Sequence, residues 1–586
     1  MSSDGDVDER NDAGPAPAMR AHPPATRLGP LAKWGPLGAI VTVLAVIVGV
    51  LVTTSPDTEV EAADTTPSTA GSDRFLGEGV IPFSLAEARG EVDQIDWGPR
   101  CDTERGTLAI PLSPPAECFA PYDGPSGGAT ETGVTADKIR VVVYTPMEND
   151  PVLEFVYAQV DNDDTSTQSF QTYEGYNEIL RTYFETYGRE IELVRYTGTG
   201  PITDAVAATA DAETIARDLQ PFVVLGGPIM TEAFAETLAA NGVMCVSCTP
   251  GQTDEWYAER GPYVWDVLKN ADQYTRMAAE YVGKRLAGGN AEFGGDAVKD
   301  QPRRFGLIYL SLGKHAETLR ERIQTTLADD YGVELVDVAS FSDPVSLSSE
   351  AREIIARMKS NGVTTILYTG DPLAPQTLTR NATAQDYYPE WVISGSALVD
   401  TTIFGRTYDQ AQWRHAFGVS NLFARVSPSV AGSVYVYRWF HGEAPPARTT
   451  APLILPNLQF LYSVLQGVGP ELTHENFRNA IFTAPIVESS VISPQISWGE
   501  RGIWPSVDYA GVDDQTEVFW DADATGEDET GKVAKGMWAY VDGGRRYLPG
   551  EWPEEPPRAF QEDGAVTMYT ELPDGVELPS YEPLHP

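Results

Sequence analysis

Reactive side chains at fixed spacings are scarce in this chain of 586 residues. Cys245-Val-Ser-Cys248 sets two thiols three residues apart, the spacing of dithiol redox motifs. It closes an apolar strand, Val243–Val246, instead of opening a helix whose N-terminal dipole would stabilise a thiolate. A structural disulfide or a pair of buried thiols is therefore expected there. Zinc needs a second ligand pair, and none of the six histidines (His22, His315, His415, His441, His474, His585) is spaced to supply it. Asp521-Ala-Asp523-Ala-Thr525-Gly526 opens like a calcium loop but has Lys532 at the twelfth position, where a bidentate Glu is required. Leu312-Gly313-Lys314-His315 lacks the glycine spacing and hydroxyl of a phosphate loop. Gly198-Thr199-Gly200 follows a strand without the third glycine of a dinucleotide site. No H-E-x-x-H and no G-x-S-x-G occurs. With 85 acidic residues, two carboxylates near each other carry little information. Neither a catalytic constellation nor a cofactor motif emerges.

The elements around these residues set where they act. Forty-one Lys+Arg against 85 Asp+Glu leave a formal charge of −44. So acidic a surface disfavours nucleic acid, whose phosphates require a basic face. It equally disfavours adsorption to anionic lipid. Residues 1–33 are polar and Pro/Ala-rich and read as a disordered cytoplasmic tail. Trp34–Val52 carries no charge and spans roughly 28 Å as a helix, close to the thickness of a bilayer core. Arg20, Arg27 and Lys33 precede it while Asp57, Glu59, Glu61 and Asp64 follow, so the basic flank belongs inside. The run exceeds the 7–15 residues usual for a cleaved signal. A single-pass anchor over 34–53, with the bulk of the chain outside the cell membrane, is expected. Residues 54–135 read as a stalk in which Cys101 and Cys118 close a small loop, consistent with an oxidising compartment.

From Lys138 the pattern becomes strands alternating with amphipathic helices, the mark of the α/β class. Strands are expected at 139–145, 191–196, 222–225 and 243–246. Helices are expected at 169–187, 212–219 and 231–241. A second series places strands at 305–310, 333–338, 364–368 and 391–394, with helices at 272–286, 315–329, 348–360 and 372–384. Two doubly wound lobes follow, over 136–264 and 265–398. Residues 399–484, with helices at 457–466 and 473–482, are expected to return to the first lobe. Residues 485–586 read as an irregular extension.

Several stretches carry a likeness to a known family. They are Gly133–Pro146, Val223-Val-Leu-Gly-Gly-Pro228, Asn241–Ser247, Gly261-Pro-Tyr-Val-Trp265, Asp513–Trp520 and Gly543–Gly550. In this order they resemble the type I periplasmic binding proteins, most closely the branched-chain amino-acid and amide-type solute receptors of ABC importers, in a membrane-anchored actinobacterial form. The resemblance implies two Rossmann-like lobes joined by hinge crossings and closing on a small-molecule solute, with an ABC permease as partner and no cofactor. It places Thr231 (or Met230) near the hydroxyl that holds a ligand carboxylate, and Thr249, with Gln252, near a second donor. Pro146 ends the first ligand loop. Leu312 stands where an aromatic residue is usual, and Ser394-Gly395-Ser396 where an acid would hold an amino group, leaving Asp371 as the candidate ammonium partner. The bland alternative for Thr231 and Thr249 is helix capping. An enlarged first loop, 148–167, brings Phe155 and Tyr157, which could cover the cleft or form a surface excursion. The alternative role for the same fold is extracellular ligand sensing.

Overall fold

The computed structural model describes residues 74–342 and 346–585; the expected anchor over 34–53 lies outside them. Among the described residues no helix is long and apolar enough to cross a membrane. The N-terminal part holds α1 (Phe83–Arg89) and the antiparallel pair β1 (Cys101–Asp102) and β2 (Thr107–Leu108). The first lobe contains β3 (Lys138–Thr145), α2 (Pro151–Gln159), α3 (Ser166–Tyr183), β4 (Glu190–Thr197), α4 (Ala205–Thr214), β5 (Val223–Leu225), α5 (Ala233–Ala240), β6 (Met244–Val246), α6 (Asp254–Ala258) and β7 (Val264–Trp265). The second contains α7 (Ala271–Tyr281), β8 (Phe305–Leu310), α8 (Ala316–Tyr331), β9 (Asp337–Phe341), α9 (Ala351–Ser360), β10 (Thr365–Thr369), α10 (Ala374–Ala384), β11 (Glu390–Ile393), the short α11 (Thr402–Gly405) and α12 (Gln410–Trp413), and β12 (Ala416–Ser420). Helices α13 (Ser433–His441), α14 (Ala451–Val468) and α15 (His474–Thr483) follow, then β13 (Gln515–Glu527), β14 (Val533–Tyr540) and β15 (Arg546–Tyr547).

The strands sort into two main sheets. The first, β4-β3-β5-β6-β7, is parallel throughout. The second runs β14-β13-β12-β11-β10-β8-β9, parallel from β9 to β12 and antiparallel beyond. Successive residues of a strand point to opposite faces, and both faces of the second sheet are covered. Leu307, Leu367, Val392, Phe417 and Phe519 enter one core cluster, while Ile308, Ile366, Trp391, Ala416 and Val518 enter the other. Burial on both faces is why these strands read as apolar runs. Helices α13–α15 pack back into the core of the first sheet. The chain thus crosses between lobes at 266–270, at 421–432 and at 485–514, the arrangement that the resemblance implies.

Several boundaries differ from the sequence reading. The strand expected at 333–338 lies at Asp337–Phe341, because β8 sets the ladder from Gly306↔Asp337 onward, and Val333 is a core residue ahead of it. The helix expected at 212–219 starts at Ala205, where Asp204 accepts hydrogen bonds from the Val206 and Ala207 amides. Strand β12, within the segment expected to return to the first lobe, belongs to the second sheet. The extension over 485–586 supplies that sheet with the β13–β14 hairpin. Residues 74–131, taken from the sequence as stalk, pack against the first lobe: Phe83, Trp97, Leu108 and Cys118 share its core.

Both cysteine pairs are bonded, Cys101 to Cys118 and Cys245 to Cys248. The first bridge closes a sequence separation of 17 residues, a loop whose restraint on the unfolded chain is worth about 3 kcal/mol. Replacing both residues (Cys101→Ser with Cys118→Ser) is expected to lower stability by about that amount, read as a shift in the urea midpoint at unchanged slope.

Candidate functional site

In parallel sheets, solutes bind at the carboxyl ends of the strands, where loops and helix N-termini meet. In the first lobe, β5 runs into Gly226-Gly227-Pro228. A Cβ on Gly227 would stand 2.7 Å from the Cys248 carbonyl oxygen, so glycine lets the β6 loop pass close by. Thr231 is buried, and its Oγ1 accepts from the Ala233 amide at 3.3 Å. That bond caps the start of α5 and leaves the hydroxyl proton to donate elsewhere. Thr249 is buried too, with Oγ1 accepting from Gln252 Nε2 at 3.4 Å. Pro146 is half-buried, and its carbonyl accepts from Ser166 Oγ at 3.3 Å. Met230 is half-buried beside Ile229, which is 49% exposed.

In the second lobe, Leu312 is 42% exposed at the end of β8. Ser396 is buried and couples β10 to β11: its Oγ donates to the Gly370 carbonyl at 3.1 Å and accepts from the Gly370 amide at 3.0 Å. Asp371, expected as an ammonium partner, spends Oδ1 on the Leu373 and Ala374 amides at 2.7 and 3.0 Å, and so caps α10. An Asp preceding a helix has these orphan amides within reach.

A charged contact joins these two sets of loops. Lys314, two residues past Leu312, lies 3.1 Å from Glu232 and 3.4 Å from Glu236 on the first lobe. Glu236 also accepts from Arg260 Nη2 at 2.9 Å and Trp256 Nε1 at 3.2 Å. The sequence offered Lys314 only as part of a failed phosphate motif. Its partners lie some eighty positions away and become neighbours only when two lobes meet. Two surface depressions, of about 490 Å³ beside the Cys101–Cys118 element and about 630 Å³ beside Arg181 and Arg189, lie away from these loops.

Behind the site the crossings carry buried ionisable groups that sequence reasoning missed. Lys269 donates to the Val512 carbonyl at 2.9 Å, and burial pushes its ammonium down to about 7 against the pull of Asp514 and Asp513. Asp508 accepts from Gln273 Nε2 at 2.7 Å, and burial pushes it well above the carboxylate range. Asp266, which accepts from the Tyr257 hydroxyl at 3.0 Å, is pushed up to about 6 by the same cause. Asp400, beyond β11, accepts from Ser420 Oγ at 2.5 Å and is pushed up to about 7 by burial. Among the described residues no cluster of three or more metal-ligating side chains occurs.

No protein-family model matches the chain, and no curated protein matches it. Among solved structures it is similar to an ABC transporter solute-binding protein of R. palustris in complex with 4-hydroxybenzoate (11% identity over 71% of this chain and 99% of that one, TM-score 0.48). It is also similar to a fatty acid ABC transporter substrate-binding protein from Thermomonospora curvata (14%, 73% and 99%, TM-score 0.46). A third is the branched-chain amino acid transporter substrate-binding protein of Streptococcus pneumoniae in complex with isoleucine (12%, 69% and 100%, TM-score 0.46).

Asp400 gives the site region a pH signature. A carboxyl that titrates near 7 when folded and near 3.9 when unfolded holds its proton more firmly in the native state. Its stabilising contribution is full below about pH 4 and is lost as pH rises through about 7. Asp400→Asn is therefore expected to gain on the wild type steadily across that window, measured as the difference in Tm between matched pH series.

Proposed function

We propose that the chain is an extracytoplasmic solute receptor, held at the cell membrane through residues 34–53 with its bulk outside. It binds a small polar solute, amide-like or amino-acid-like, between its lobes and delivers it to an ABC permease. The observation that carries this reading is the meeting of two sets of strand mouths, joined by Lys314 and Glu232. The side chains proposed to touch the solute are hydroxyls and an amide (Thr231, Thr249, Ser396, Gln252), with Pro146, Met230 and Leu312 as apolar walls. Asp371, whose Oδ1 is committed to the cap of α10, serves by fixing its loop beside Ser396. Hydroxyls that both donate and accept suit a solute carrying carbonyl and N–H groups. Recognition of this kind makes and breaks no covalent bond; the solute-bound form, with the lobes together, is what a permease can read.

A thermal-shift panel of amino acids, amides, polyamines and small acids, including isoleucine and 4-hydroxybenzoate, tests the reading. A true solute at a hundred times its Kd is expected to add about 2.7 kcal/mol of stability. Thr231→Ala and Thr249→Val are each expected to weaken that solute by about 1 kcal/mol, the worth of one neutral hydrogen bond. A solute that stabilises both variants as well as the wild type would place binding elsewhere.

A further inference from the structure

The enlarged first loop leaves the first lobe, reaches the second and comes back. Its two ends are fixed at home. Asp150 caps α2 through the Val152 and Leu153 amides and also accepts from the Ile202 amide at 2.8 Å. Asp164 accepts from the Thr450 amide at 2.7 Å and from its hydroxyl at 2.6 Å, at the start of α14. The middle is fixed away from home. Val156 and Val160 pack against the core of the second lobe. Asp161 accepts from Lys532 Nζ at 2.8 Å, on the turn between β13 and β14.

The C-terminal segment makes the opposite journey. Val566 exchanges backbone hydrogen bonds with Tyr540, and Tyr569 pairs with Val426. Leu572 and Val576 pack on the same second-lobe core. The chain then passes to the N-terminal element and the first lobe. Glu577 accepts from Arg105 at 2.6 Å, and the Tyr581 hydroxyl donates to Asp102 at 2.8 Å. The Tyr581 carbonyl accepts from Trp439 Nε1 at 2.7 Å, and the Leu584 amide donates to the Tyr183 hydroxyl at 2.8 Å.

We propose that these two straps, 150–164 and 566–585, tie the lobes together, so that solute exchange proceeds by lifting α2 off the second lobe and not by a free swing of the hinge. A hinge swing alters the separation of the lobes everywhere except near the crossings, so any segment fastened to both must detach or stretch. The apolar contacts of Val156 and Val160 resist detachment in any salt, whereas the exposed Asp161–Lys532 pair contributes little. The route of exchange rests on the receptor reading, whereas the tie between the lobes needs only the two-lobe geometry.

Pulsed electron paramagnetic resonance on the full chain tests it, with spin labels on Glu213→Cys in α4 and Glu353→Cys in α9, both exposed positions. The native cysteines are paired and do not compete for label. The expected result without solute is one narrow distance. That distance is expected to broaden or shift in Val156→Ser/Val160→Ser, and again in a chain ended before Glu577. A broad or two-state distribution in the otherwise wild-type chain overturns the proposal, as does a narrow distance kept by both altered chains. Circular dichroism and cooperative melting check that each is folded. Should the valine variant not fold, the shortened chain decides alone. Failure of the solute panel leaves these distances unaffected, so the two readings fail separately.

Discussion

Burying an ammonium group costs several kcal/mol unless acceptors surround it, and Lys269 is buried where the first and third crossings meet. Its acceptor is a backbone carbonyl, Val512, and its ring neighbour is Trp504, 5.1 Å from the ammonium. Asp514 is shared with Arg546 at 2.7 Å, and both of those side chains are almost wholly buried. Asp513 in turn accepts from Ser497 Oγ and Trp504 Nε1 at 2.7 and 3.0 Å. Such a knot has one satisfactory geometry. Displacing any member leaves a charge or an amide unpaired inside the protein, which costs more than the knot gains by forming. These bonds tie the first crossing, at Lys269, to the third, at Val512.

How legible this was in the sequence follows from where each element sits. Strands β3, β5, β8, β10 and β11 are buried on both faces, so they appear as apolar runs that no amphipathic helix imitates. In strand β12, Ala416–Ser420, a central glycine hides the pattern. A Cβ on Gly418 would fall 2.2 Å from the Ile393 carbonyl oxygen, so close sheet packing selects the residue that weakens the strand signal. The hairpin β13–β14 is apolar only where it joins the sheet. Beyond a bulge between Asp521 and Thr525 it projects outward with acidic and small residues. Helix α2 contains Val, Leu, Phe and Tyr without a wholly buried side, since it covers a second body and not its own lobe. Its periodicity carries no sign of that.

The candidate residues were legible by type and not by partnership. Thr231 and Thr249 were singled out by their place at strand ends and helix starts, where Thr231 accepts from the Ala233 amide and Thr249 from Gln252. Asp371 exposes the limit of the same logic. A carboxylate shortly before a helix has two uses, capping and ligand binding, and they differ only in whether the Leu373 and Ala374 amides have reached it first. The pairing of Lys314 with Glu232 and Glu236 is invisible to any window of sequence, because it is a property of two lobes in contact.

These partnerships constrain what a solute at the proposed ligand loops can gain. The charged groups at the strand mouths are matched inside the protein: Lys314 with Glu232, Arg260 with Glu236, and Asp150 and Asp371 with helix amides. A charge already paired gains little from a solute of opposite sign, since the new bond replaces an old one and both must be desolvated. Hydroxyls and apolar side chains incur a smaller desolvation cost on closure. A solute bound as proposed is therefore discriminated by shape and by neutral hydrogen bonding. Ion pairs such as Lys314 with Glu232 hold the lobes in contact, while in the proposed receptor the work of telling one solute from another falls to Thr231, Thr249 and Ser396.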